Sequence, residues 1–331
     1  MKKKNRLSTI LLILGFLVGL VLLLYPSVAD AWNRGMAVQT VAHYTDAASE
    51  LKEEEYKRLK EEAYAYNADM AGFSDYALDA ELKDYDAILN LSNDGMMGFI
   101  EIDKINVTLP IYHGTDDTYL QIATGHLDWS SLPVGAVSWD PETQTVDPDD
   151  GAHSIISGHR GLPSARLFTD LDQVVVGDTF KITVLKDVYA YQVDQIRVVE
   201  PEDLSALHIE KGKDYCTLVT CTPYSVNSHR LLIRGFRINP AVSYMVQSNA
   251  TQVRTYIVAV VMAVPILVLL FLIAVIKPNR FKKKKYIDEQ IMDELEIAEL
   301  PLYRLDLSVM EINRLMKRAE KQDDDREDDE E

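Results

Sequence analysis

The chain has 331 residues, a formal net charge of −18 and only two cysteines. That length is ample for a sizeable core. The acidic balance gives no reason to expect a nucleic-acid partner, since phosphate binding calls for a surplus of Lys and Arg.

The start, Met1-Lys2-Lys3-Lys4-Asn5-Arg6, carries four positive charges and runs into an apolar stretch from Leu7 to Tyr25. As a helix that stretch would be roughly 28 Å long at about 1.5 Å per residue, enough to cross the hydrocarbon of a bilayer. A cleaved signal peptide is the competing reading, but its apolar part is usually about 7 to 15 residues. Ser27-Val28-Ala29 is only a passable cleavage site. Residues 1–25 are therefore expected to be a basic start and a membrane helix, and residues 26–95 an extracytoplasmic helical region leading to a lid-like segment.

Within that region residues 44–68, rich in Glu, Lys and Ala and without Gly or Pro, predict a polar helix lying on something larger. Residues 69–95 look like a long connecting segment. From Met96 the period changes to that of strands: "MGFIEID", "INVTLPIY", "GAVSWD", "HSIISGH", "DTFKITVL", "VYAYQVDQIRVVE", "YCTLVTC" and "RLLIRGFRI". These are eight short runs separated by turn residues, the pattern of an all-β barrel or sandwich over residues 96–239. Between them, "DPETQTVDPDDG" (140–151) gathers five acids; it lacks EF-hand spacing and reads as a solvated loop.

Residues 240–276 comprise a linker and a second apolar run, Tyr256 to Ile276, with Pro265 inside it. "KPNRFKKKK" follows with six positive charges. Basic flanks stay cytoplasmic, so both ends are expected inside and the large middle region outside. The tail, 277–331, turns from basic to acidic and ends in "DDDREDDEE", a composition that does not fold alone.

Disulfides are permitted outside the membrane, so the two cysteines must be weighed as a pair. Cys216 and Cys221 lie five apart on one predicted strand, roughly 16 Å at about 3.3 Å per residue, and the odd spacing turns them to opposite faces. They should not bridge. Cys216 is expected in the core, whereas Cys221 sits at a strand end just before Pro223. After the loop of Tyr224 to Ser228, Arg230 starts the next strand, so a hairpin would set a thiol beside a permanent cation. Of the seven histidines, His159 in "SIISGHRGLPSARLF" occupies the same kind of strand-end position, flanked by glycines. His229 neighbours Arg230 and must point to the other face. His126 and His153 are expected as core or supporting residues.

These residues resemble a known family. "TLVTC" with the downstream Arg230 is similar to the sortase signature, and "SGHRGLPSARLF", "LPIYHGT", "TGHLDWSSLPVG" and "CTPYSVNSHRLLIRG" resemble segments of class C, pilus-building sortases. The resemblance covers roughly residues 60–276. It implies an eight-stranded sortase β-barrel with short helices, an N-terminal helix, a lid-like segment and two flanking membrane helices, with His159, Cys221 and Arg230 catalytic. It also implies a transpeptidase that takes surface proteins or pilins bearing Leu-Pro-x-Thr-Gly-like sorting signals and needs no metal or organic cofactor. The Asp-Pro-aromatic lid motif usual in class C is missing; Asp75-Tyr76 in "GFSDYALD" is the nearest relic and the only lid candidate. The alternatives are a housekeeping sortase acting on cell-wall peptide, and a papain-like cysteine protease. The latter family orders its nucleophile before its histidine, the reverse of His159 and Cys221. A zinc-binding module would need about four ligands at paired spacings, and no Cys-x-x-Cys or His-x-x-x-His occurs.

Overall fold

The computed structural model describes residues 2–72, 85–243, 264, 267, 268, 313, 314 and 316–318. The lid candidates Asp75 and Tyr76, and almost all of the second apolar run and acidic tail, lie outside the described residues. The chain divides into two compact units, the first made of residues 1–13 and 253–331, the second of residues 14–252. The second unit holds the barrel.

Two helices precede the barrel. Helix α1, Lys2–Glu50, does not stop at the end of the apolar run but continues through Pro26. Its stretch Ile13–Glu50 is long and apolar enough to cross a membrane by length and composition. The sequence places a helical region after residue 25 but marks a helix only over 44–68; the structure joins the two, as far as Glu50, into one helix. The contacts explain its persistence: Asp30, Ala37, Val41, Tyr44 and Ala48 recur at helical spacing on one face and are all buried. Tyr44 is the anchor. Its hydroxyl donates to the carbonyl of Met97 (2.9 Å) and accepts from the amide of Leu185 (2.8 Å).

The predicted polar helix of residues 44–68 is in fact divided. Its first part ends α1, the chain bends at Leu51-Lys52, and helix α2, Glu53–Ala71, follows. Three glutamates in the first turn of α2 suit the positive end of the helix dipole. As expected, α2 is polar outside and lies on the barrel, burying Leu59, Ala63, Tyr66 and Met70. Asn67 fastens it further: its amide donates to the carbonyls of Leu132 and Gly135 and accepts from the amide of Leu132.

The strands are β1 (Met96–Ile102), β2 (Val107–His113), β3 (Thr124–His126), β4 (Ala152–Ser157), β5 (Thr179–Val184), β6 (Asp187–Val199), β7 (Asp214–Thr222) and β8 (His229–Ile238); a short helix α3, Asp117–Leu120, sits between β2 and β3. They close into a barrel in the order β1-β2-β3-β4-β7-β8-β6-β5. The pairs β2–β3 and β4–β7 are parallel and the remainder antiparallel. Closure removes free sheet edges, and Ile100, Ile111, Phe168, Phe180, Tyr191, Leu218 and Ile233 fill the interior.

Seven of the eight strands fall where the period of two places them. The eighth does not. "GAVSWD" is no strand: the amide of Ala136 donates instead to the Asp214 carboxylate (2.9 Å), and Gly135 turns the chain with φ of 75°. The third strand is Thr124–His126, too short to show alternation. It needs Gly125, because a Cβ there would collide with the carbonyl of Gly114. The acidic loop behaves as a solvated turn, with Asp140 accepting from the amide of Glu142 and the hydroxyl of Thr143.

Candidate active site

Strand β7 carries two faces of opposite character. Cys216 and Leu218 point into the barrel and are fully buried, while Val219 and Cys221 turn outward. Burial drives the Cys216 thiol well above its ordinary pKa, and the Asp214 carboxylate nearby adds to this, so Cys216 stays a neutral thiol. Both cysteines are free, as the spacing predicts.

The hairpin β7–β8 pairs Cys221 directly with Arg230, and Thr222 with His229. Thiol and guanidinium therefore share one face, and His229 shares the other. Nη1 of Arg230 donates to the carbonyls of His229 (3.2 Å) and Asn227 (3.4 Å). Among the described residues no carboxylate pairs with this arginine.

His159 arrives from the opposite neighbour of β7. The parallel β4–β7 register aligns Ser157 with Val219. The ladder continues through the Gly158 amide, which donates to the carbonyl of Val219 (3.1 Å), and the Thr220 hydroxyl, which donates to the carbonyl of Gly158 (2.7 Å). One residue further, His159 is level with Cys221. Gly158 permits this approach, since a Cβ on it would stand 2.7 Å from the ring of Phe168. Cys221 thus sits between His159 on one side and Arg230 on the other. Nε2 of His159 lies 4.0 Å from the carboxylate of Asp117, an exposed residue of α3.

All three residues line one cleft of about 290 Å3. Its apolar wall is formed by Trp129, Leu204, Leu207, Val219 and Leu232, which pack around the fully buried Ile155 beneath them. The residues of that wall that come from the β6–β7 connection, Leu204 and Leu207, carry no signal in the sequence, because each belongs to a loop without period. Trp129 lies within "TGHLDWSSLPVG", yet nothing in that segment marks it as cleft-lining.

The other histidines divide cleanly. His126 and His153 are fully buried, and desolvation pushes their pKa values down to about 3 and about 4. Nε2 of His126 donates to the carbonyl of Ser131 (2.9 Å), and Nδ1 lies 2.9 Å from the hydroxyl of Tyr85. Nδ1 of His153 donates to the carbonyl of His208 (2.8 Å), leaving Nε2 to accept from Thr217 (2.7 Å). Both are structural, and they make the fold acid-sensitive. A histidine whose folded pKa is depressed contributes stability that is complete above its unfolded value and lost as pH falls below it. Between pH 6.5 and pH 5 the pair should cost the fold about 3 kcal/mol, since the loss approaches about 1.4 kcal/mol per pH unit for each ring only below the unfolded pKa. Urea unfolding at several pH values should show this decline, and His153→Asn should remove about half of it. A slope unchanged in the variant would show that other groups govern acid unfolding.

A family model described as the sortase domain matches residues 100–238, which spans the barrel from β1 to β8. Among solved structures, sortase C1 from Streptococcus agalactiae is 46% identical, with a TM-score of 0.54, over 60% of this chain and 98% of that one. Sortase C from Streptococcus pneumoniae is 39% identical, with a TM-score of 0.52, over 60% and 96%. Sortase D from Bacillus subtilis (strain 168) is 27% identical over 43% of this chain, and the match spans 63% of that protein's length. The barrel order, the thiol-bearing hairpin and these similarities agree, and the chain belongs to the sortase family, among its class C members.

Proposed function

We propose that the chain is a membrane-anchored cysteine transpeptidase that cleaves a Leu-Pro-x-Thr-Gly-like sorting signal between Thr and Gly and joins the new carboxyl end to a lysine amine of a pilin. The observation that carries this reading is the placement of Cys221 between His159 and Arg230 at the end of an apolar cleft. An extended peptide with apolar residues ahead of the scissile bond suits such a wall.

In this mechanism the Cys221 thiolate attacks the threonine carbonyl. The guanidinium of Arg230 offers a planar fork of donors to the oxygen on which negative charge develops. Collapse of the tetrahedral species breaks the C–N bond, and His159 as imidazolium gives its proton to the departing glycine amine. A thioester remains on Cys221. The lysine amine then attacks it, losing its proton to the neutral imidazole, and the thiolate leaves. One peptide bond is exchanged for one isopeptide bond, so the covalent intermediate carries the bond energy across.

The apolar part of α1 supports membrane anchoring. The two-span topology, with both termini cytoplasmic and the barrel outside, belongs to the proposal and rests on the basic flanks at Lys2–Arg6 and Lys277–Lys285. One experiment tests both parts. Protoplasts carrying the full chain, supplied from outside with a labelled sorting peptide and a lysine-bearing pilin, should release the linked product. Turnover seen only after lysis would overturn the orientation. Cleavage without joining, given ample amine, would overturn transpeptidation in favour of hydrolysis.

A further inference from the structure

The loop after His159 is gripped from outside the barrel. It runs from His159 to Phe168 and is closed at its base, where the amide of Phe168 donates to the carbonyl of His159 (3.1 Å) and the amide of Gly161 to the hydroxyl of Thr169 (3.1 Å). Its far side is held by α1. Oδ1 of Asp30 accepts from the amide of Arg166 (3.0 Å), and the side-chain amide of Asn33 donates to the carbonyl of Ser164 (2.9 Å). Asp30 is only 5% exposed, and its other oxygen lies 2.9 Å from Nη2 of Arg34 one turn along.

The grip coincides with backbone strain. Leu167, next to the held amide, has φ of 40°, a left-handed conformation that a leucine adopts only when its surroundings impose it. Its side chain is buried in the main core, which also takes in Ala37 one turn beyond Asn33. A loop strained at Leu167 and attached to β4 by Gly158 would relax if its outer side were released, and His159 would move with it.

We propose that Asp30 and Asn33 of α1 are positioning residues for His159, holding the loop 159–168 in the strained form that keeps the imidazole level with Cys221. The proposal rests on the proton-transfer role of His159 in the transpeptidase reading. It makes the helix that emerges from the membrane a working part of the cleft. Neither residue touches substrate; both act through the backbone of Ser164 and Arg166.

The test uses the full chain in lipid or detergent, carrying Asp30→Ala, Asn33→Ala, the pair, and the conservative Asp30→Asn. The pair should lower kcat for acyl transfer between about 10- and 100-fold, the scale of a displacement near 1 Å at the reacting group, with KM within about twofold. Hydrogen exchange at the amides of residues 161–168 should quicken. Asp30→Asn keeps an oxygen facing the Arg166 amide and should restore most of the rate. A pair variant with kcat within about twofold of the parent overturns the proposal. So does a fall in kcat that merely follows the melting temperature, or an Asp30→Asn variant as slow as Asp30→Ala. His159→Ala, measured alongside, separates the two levels: if it abolishes transfer while the pair does not, only the brace fails. If it leaves transfer intact, the role of His159 fails and the brace with it.

Discussion

Cys221→Ala is expected to abolish both cleavage of a sorting peptide and formation of the joined product, while Cys216→Ala leaves both nearly unchanged. Loss of a nucleophile that acts with a base as a unit costs on the order of 10^6-fold in turnover. The two cysteines share a strand but not a face, and the fully buried Cys216 is held as a neutral thiol by desolvation. Its truncation removes one buried sulfur and should cost about 1 kcal/mol of packing, or a few degrees of melting temperature for a domain of this size. Peptide cleavage and thermal unfolding measured on the two variants separate the roles. A Cys216→Ala protein that folds normally but does not turn over would show that the nucleophile had been placed on the wrong face.

Arg230→Lys is expected to keep thiol reactivity and lose acyl transfer. In the proposed mechanism negative charge develops beside Cys221 twice, first as thiolate and then as tetrahedral oxyanion. Lysine retains the charge but not the fork of donors. Removing an oxyanion donor typically costs about 100- to 1,000-fold in turnover. Alkylation of Cys221 by a small iodoacetamide-type reagent passes through no oxyanion and should fall far less. Arg234→Lys is the control on the same strand face, and the structure says what it should do. Arg234 is committed to Asp194 and Glu210 and lies over the ring of Tyr215 (4.1 Å), away from the thiol. Its replacement should lower stability and spare transfer. Equal damage from both lysines, or parallel loss of alkylation and transfer in Arg230→Lys, would leave the cation with no role beyond tuning the thiol.

The geometry of the candidate site is legible in the sequence because its residues stand at the ends of strands with strong local signals. The β-branched run Thr217–Thr220, the break at Pro223 and the apolar restart at Leu231 define the β7–β8 hairpin, and the hairpin alone pairs Cys221 with Arg230. Alternation likewise separates Cys216 from Cys221, and Arg230 from His229. Features made by contacts distant in the chain are not legible. Asn33 and Ser164 are 131 residues apart, and Asp30 and Arg166 are 136 apart; no periodicity joins them. The strand Thr124–His126 escapes a reading by period because three residues cannot alternate visibly. "GAVSWD" reads falsely as a strand because the buried carboxylate of Asp214 takes the amide that a ladder would have used. The unbroken passage of α1 from the apolar run into residue 50 belongs to the same group, since its buried face depends on a barrel that lies later in the chain.

That unbroken helix has a mechanical meaning. From Leu14 onward α1 belongs to the same compact unit as the barrel, and Asp30 comes five residues after Tyr25, roughly 8 Å along the axis at about 1.5 Å per residue. In the proposed placement, the apolar rod from Leu14 and the clasp on the histidine loop are parts of one helix. Membrane helices answer a change in hydrocarbon thickness by tilting, so in that placement a tilt of α1 would be felt at the loop that carries His159.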